Sequence, residues 1–111
     1  MGARSLYSTV WSEPAAQDLK AILERIVATH PTNAKGVFVR FQRAVASLCT
    51  SPLRGRVVPE LREYGITAYR EHILTPWRVI YRIHRQEVYV LLVVDGRRNV
   101  EDVLLERLTR K

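Results

Sequence analysis

Two short basic rows stand out in the second half of the chain. Arg70 and His72 alternate along Ala68–Leu74, and Arg78, Arg82 and His84 alternate along Trp77–His84. Glu60 lies upstream in the segment VPEL, and Arg97 and Arg98 follow Gly96 after a long apolar run. Side chains of these kinds suit phosphodiester chemistry. Metal-free cleavage of RNA by its own 2′-hydroxyl needs a base, an acid for the leaving oxygen, and cations to hold the phosphorane charge. Glu60 is the candidate base, His72 or His84 the candidate acid, and the arginines the cations. The same arginines suit binding alone, because a guanidinium grips phosphate or carboxylate with a planar fork of donors. They also have a plain structural reading. Alternating Arg on a strand is commonly a solvated face. Pairs with Glu60, Glu63 or Glu71 would be ion pairs worth ~0–1 kcal/mol each, and Arg on an edge strand discourages sheet-to-sheet association.

The elements that must carry these residues follow from periodicity. Leu6–Trp11 reads as a strand. Ser12 caps a helix with Pro14 in its first turn, and Leu19, Ile22, Leu23, Ile26 and Val27 form an apolar stripe at helical period. His30-Pro31 ends it. Thr32 or Asn33 caps a second helix with the stripe Val37, Phe38, Phe41, Val45 and Leu48, closed by Ser51-Pro52. Both stripes read as core. Leu53–Gly65 is a connector with strand character at Val57-Val58 and Leu61.

The period then becomes two. Ala68–Leu74 is a strand stopped by Thr75-Pro76. Trp77–His84 puts Trp77, Val79, Tyr81 and Ile83 on one face and Arg78, Ile80, Arg82 and His84 on the other. If the two strands pair, their basic rows lie side by side on a helix-free face. Arg85-Gln86 is a turn, and Val88–Val94 is apolar on both faces, which marks an interior strand. Asn99 caps a last helix with Glu101 and Asp102 in its first turn and Arg107 and Arg110 in its last. The expected fold is α+β and two-layered: an N-terminal strand and helical hairpin on a three- to four-stranded antiparallel sheet, with a C-terminal helix.

Composition bounds the function. The chain has 111 residues and a net charge of +7, carried by 15 Arg and only 3 Lys against 11 acids. That length fits a single domain over residues 1–111, with no room for a cofactor-binding half. The Arg bias points to an anionic partner, either nucleic acid or an acidic protein. Cys49 is the only cysteine, which excludes an internal disulfide and a cysteine-based zinc site. It reads as a small buried hydrophobe. No apolar run is long enough to cross a membrane, residues 1–7 lack the apolar core of a signal peptide, and no phosphate-cradling glycine motif is present. A cytoplasmic location and no metal or cofactor are expected.

The order of elements, with SEPAAQDL opening the first helix, RGRVVPEL after the second, then YREHI, PWRVIYRI and VYVLLVVDGRRN, resembles the RelE/ParE superfamily of toxins from bacterial type II toxin–antitoxin modules. The likeness runs from about Ser8 to Leu108. It implies a small cognate antitoxin that neutralises the toxin, including in a heterotetrameric assembly. It also implies one of two activities: ParE-type inhibition of DNA gyrase, or RelE-type ribosome-dependent cleavage of mRNA. RGRVVPEL and GRR look more like the ParE branch. Under the nuclease reading the resemblance places Glu60 where some relatives carry a catalytic glutamate. It places Arg78 at a phosphate-binding arginine, and Arg97 or Arg98 near the terminal catalytic segment. Many relatives have His where Asp95 stands, and no Tyr follows here, which weakens nuclease chemistry and favours the gyrase reading or a reduced nuclease. Under the binding reading Arg70, Arg78, Arg82, Arg97 and Arg98 meet the target or the antitoxin. A nontoxic basic binding module on the same fold is the third alternative.

Overall fold

The computed structural model describes residues 6–109. Arg110, assigned from sequence to the last helical turn, lies outside that range. The elements are β1 (Ser8–Trp11), α1 (Glu13–Thr29), α2 (Ala34–Leu48), β2 (Arg56–Val57), α3 (Pro59–Arg62), β3 (Tyr69–Leu74), β4 (Trp77–His84), β5 (Glu87–Asp95) and α4 (Val100–Thr109). Single 3₁₀ turns at Pro31–Asn33 and Pro52–Arg54 link the early pieces.

Local chemistry sets the helix starts. The Ser12 hydroxyl accepts the Ala15 N–H at 3.1 Å, satisfying one orphan donor of α1. Asn99 Oδ1 accepts the Asp102 N–H at 3.3 Å at the start of α4. Asn33 precedes α2 but makes no side-chain cap. The connector holds the short helix α3, which its mixed composition did not signal.

The class is α+β, as the periodicity indicates, with four antiparallel strands and the N-terminal strand joined to them in one sheet. Its order is β1-β5-β4-β3-β2. Strands β2 to β5 form an antiparallel meander, and β1 joins the outer side of β5 in parallel, Ser8 opposite Glu87 and Trp11 opposite Val90. The register of β4 against β5 shifts between Ile80 and Tyr81, leaving Leu91 as an extra residue, a β-bulge.

Helices cover both faces of this sheet. On the first, Ala15, Phe41 and Val45 from the hairpin pack on Val79, Val90 and Val93. Phe41 meets Trp77 with ring centroids 5.2 Å apart. Leu48 packs with Tyr81 and Val88, and Cys49 is buried, its Sγ 2.9 Å from Thr9 Oγ1. On the second face, Val58, Leu61 of α3, and Val100 and Leu104 of α4 pack on Ile80, Leu92 and Val94. This explains why β5 is apolar on both faces, and it corrects the expectation of a helix-free face. The stripe of α4 needs an apolar floor, and Ile80 is part of it.

The hairpin stripes are only partly core. Leu19 and Ile22 pack on the first face. Leu23, Val27 and Phe38 instead line an open apolar groove of about 430 Å³ between α1 and α2.

Two details fix the sheet edges. Tyr81 is fully buried; its hydroxyl accepts the Gly55 N–H at 3.0 Å and donates to the Pro52 carbonyl at 2.7 Å. A Cβ on Gly55 would collide with that hydroxyl and with the Glu71 carbonyl oxygen, so the site requires glycine. Where β1 stops short, side chains complete the edge of β5. Asp18 accepts the Val93 N–H at 3.0 Å, and Arg107 donates to the Leu91 carbonyl at 2.8 Å and pairs with Asp18.

Candidate functional site

Glu60 and Arg78, singled out from sequence, meet in space. Residue alternation sends Arg78 to the second face of β4, and α3 carries Glu60 over it. The contact is a two-pronged ion pair: Arg78 Nη1 donates to Glu60 Oε2 at 2.8 Å, and Nη2 to Oε1 at 2.7 Å. β3 adds a third member that sequence reasoning had treated only as one of several structural partners. Glu71 faces the same way as Ile80, its registered partner, and its Oε1 accepts from both Arg78 Nε, at 2.7 Å, and Nη2. Its other oxygen accepts from Arg56 Nε at 2.6 Å. The phase of YREHI was the available signal: Glu71 must point opposite to Arg70 and His72.

The result is a closed network of two arginines and two glutamates, neutral overall. The Glu71 side chain is 0% exposed and that of Arg78 10%, so each needs the other's charge. Glu60 is at the rim, 29% exposed. The hydrogen bonds from Arg78 hold the Glu60 carboxyl below its ordinary range, against the opposing effect of burial. Those same bonds raise the Arg78 guanidinium. A general base works best when its pKa lies near the operating pH. Glu60 is displaced the other way, and both its oxygens are occupied.

The remaining candidates stand apart. Asp95 and Arg97 pair at the end of β5, Nη2 to Oδ2 at 2.6 Å and Nε to Oδ1 at 2.9 Å, and the Arg97 N–H also donates to Oδ1. These bonds bring the Asp95 carboxyl down to about 2, which leaves it ionised at neutral pH and unable to donate a proton. Arg98 is exposed beside this pair; its backbone N–H donates to the Asp95 carbonyl at 3.1 Å.

The two basic rows do not lie side by side. Arg70 registers with Tyr81 and His72 with Val79, so both belong to the hairpin face, opposite Arg78 and Arg82. Arg70 is spent on the Gly55 carbonyl at 2.7 Å. Burial, helped by Arg54, pushes the His72 imidazole down. His84 shares the face of Arg78 but stands six residues along the strand, roughly 20 Å away at 3.3 Å per residue. Neither histidine reaches the Glu60–Arg78 pair. Among the described residues no group of three or more His, Cys, Asp or Glu is arranged to hold a metal ion, and no helix is long and apolar enough to cross a membrane.

A family model for the ParE toxin of the type II toxin–antitoxin system parDE matches residues 9–100. The chain belongs to this toxin family. The match takes in the network, the bulge and the last strand.

Among solved structures, this ParE-family chain resembles a chain of the chromosomal ParDE system from P. aeruginosa. The TM-score is 0.69 at 22% identity, over 83% of this chain and 98% of that one. It also resembles a chain of the RelBE2 toxin–antitoxin complex from Mycobacterium tuberculosis, with a TM-score of 0.54 at 23% identity, over 84% and 94%. At these identities the likeness is one of fold. A search of curated proteins returned no match.

Proposed function

We propose that this ParE-family toxin arrests growth by binding its target, with DNA gyrase as that target, and is neutralised by a cognate antitoxin. One observation carries the reading: the candidate base, Glu60, is locked onto Arg78 on both oxygens, with its basicity lowered. The position after β5 holds a second locked pair, Asp95 and Arg97. A face built this way presents shape and charge, and neither pair holds a free proton donor or acceptor. The apolar groove of Leu23, Val27 and Phe38 on the hairpin and the exposed arginine at Arg98 offer docking surfaces.

The adjacency of Glu60 and Arg78 favours a second reading, cleavage of mRNA on the ribosome, if target binding were to pull the pair apart. One induction experiment separates the readings. Expression without the antitoxin should arrest growth, raise the DNA-damage response and leave mRNA 5′ ends unchanged, and purified protein should inhibit gyrase supercoiling. Codon-phased cuts in translated messages would transfer the assignment to the nuclease. Unchanged growth would reject both and leave a basic binding module.

A further inference from the structure

The open end of the sheet's second face holds an arginine, Arg82, whose Nε has no hydrogen-bond partner among the described residues. Tyr69 of β3 and Tyr89 of β5 both register with Arg82 of β4, forming one row across three strands. With His84, Glu87 and Leu91 they line a cavity of about 380 Å³. Arg82 is half-buried, and its Nε is shielded from solvent without a hydrogen-bond partner among the described residues. Its sheet neighbours are all held: Arg78 by Glu60 and Glu71, Arg70 by the Gly55 carbonyl. Arg107 Nε is also bare, but that guanidinium already binds Asp18 and the Leu91 carbonyl through its other nitrogens. A buried N–H without an acceptor costs free energy, and a guanidinium left without a protein acceptor is open to one supplied by a ligand.

Two features choose the ligand class. A guanidinium set between two tyrosines in one cross-strand row suits a small planar acceptor, such as a carboxylate, which its fork of donors can grip. Glu87 lines the same cavity. Its carboxylate repels the closely spaced phosphates of a nucleic acid, but it can accept a backbone N–H of an extended peptide. We propose that this cavity anchors one Asp or Glu side chain of an acidic peptide, with the carboxylate on Arg82 and a main-chain N–H on Glu87. Naming the cognate antitoxin as the source of that peptide rests on the function proposed above; the chemistry of the cavity does not.

The test follows the Arg82 Nε–H signal in the ¹⁵N-labelled full chain, identified by its absence in Arg82→Lys. The probes are acetyl-Ala-Glu-Ala-amide, its Gln counterpart and a single-stranded uridine trinucleotide. The Glu peptide should shift the signal and bind about tenfold more tightly than the Gln peptide, the worth of one charge-assisted bond. Arg82→Gln should abolish that preference at an unchanged melting temperature. If Arg82→Gln fails to fold, the two peptides on the unmutated chain still decide. Equal binding of both peptides, an unmoved Arg82 signal, or tighter binding of the trinucleotide overturns the proposal. Selection of the Glu peptide by a chain that does not arrest growth upholds the site and removes the antitoxin as its occupant.

Discussion

Replacing Arg78 by Met should unfold the protein more readily for a reason that can be isolated. Met keeps much of the length and apolar stem and removes the charge. Glu71 is then left 0% exposed, facing only Arg56, whose side chain is 62% exposed. Removing one partner of a buried pair typically costs ~3–5 kcal/mol. The surviving Arg56 contact argues for the lower end, about 3 kcal/mol. A chain of 111 residues has an unfolding entropy of roughly 0.23 kcal/mol/K, so the melting temperature should fall by about 13 °C. Adding Glu71→Leu removes the stranded charge as well, and the double variant should recover to within about 1 kcal/mol of the unmodified protein. Thermal and denaturant unfolding followed by circular dichroism at pH 7 measures both. A single variant within about 3 °C of the parent would refute the view that the network holds a buried charge. A double variant no more stable than the single would do the same.

Stability should fall as pH drops below about 4.5, the ordinary value for Glu60, because a carboxyl lowered by Arg78 favours folding only while ionised. Glu60→Gln should flatten that acid limb in a pH series of denaturant midpoints, and an unchanged limb would count against the pair. Asp18→Asn should cost about 1–2 kcal/mol by loosening the Val93 N–H and the Arg107 contact together. Faster hydrogen exchange at the Val93 amide is the local readout, and unaltered exchange there would contradict the edge assignment. Gly55→Ala should cost at least about 1–3 kcal/mol, since backbone and the buried Tyr81 must both give way; a denaturant midpoint equal to that of the parent would disprove the close approach.

Much of the scaffold was readable because local signals agreed with each other. Ser12, Pro31, Pro52, Thr75-Pro76 and Asp95-Gly96 mark element ends, and the change of period after Gly65 separates helices from strands. The double-sided apolarity of Val88–Val94 correctly implied cover on both faces. Three things were not legible locally. α3 spans four residues, too few for periodicity to register. The parallel docking of β1 on β5 depends on residues at opposite ends of the chain. The facing of Arg70 and His72 relative to Arg78 depends on how β3 registers with β4, where a slip of one residue exchanges the faces. The site was half legible for the same reason. Glu60 and Arg78 were nominated by residue type, but Glu71, the member that makes Arg78 structural, is recognisable only once that register is known.

The meander β2–β5 is stitched by short connections, whereas β1 must find β5 across most of the chain, Ser8 against Glu87. Contacts between near neighbours close cheaply, and those between chain ends carry the loop-closure cost before returning any gain. Folding is therefore expected to run backwards along the sequence, the later strands assembling first and the opening strand docking last. Pulse-labelled hydrogen exchange would time that order directly. Until it docks, the outer side of β5 offers an unpaired ladder to any other strand, so the interval before closure is when this chain is most exposed to mispairing.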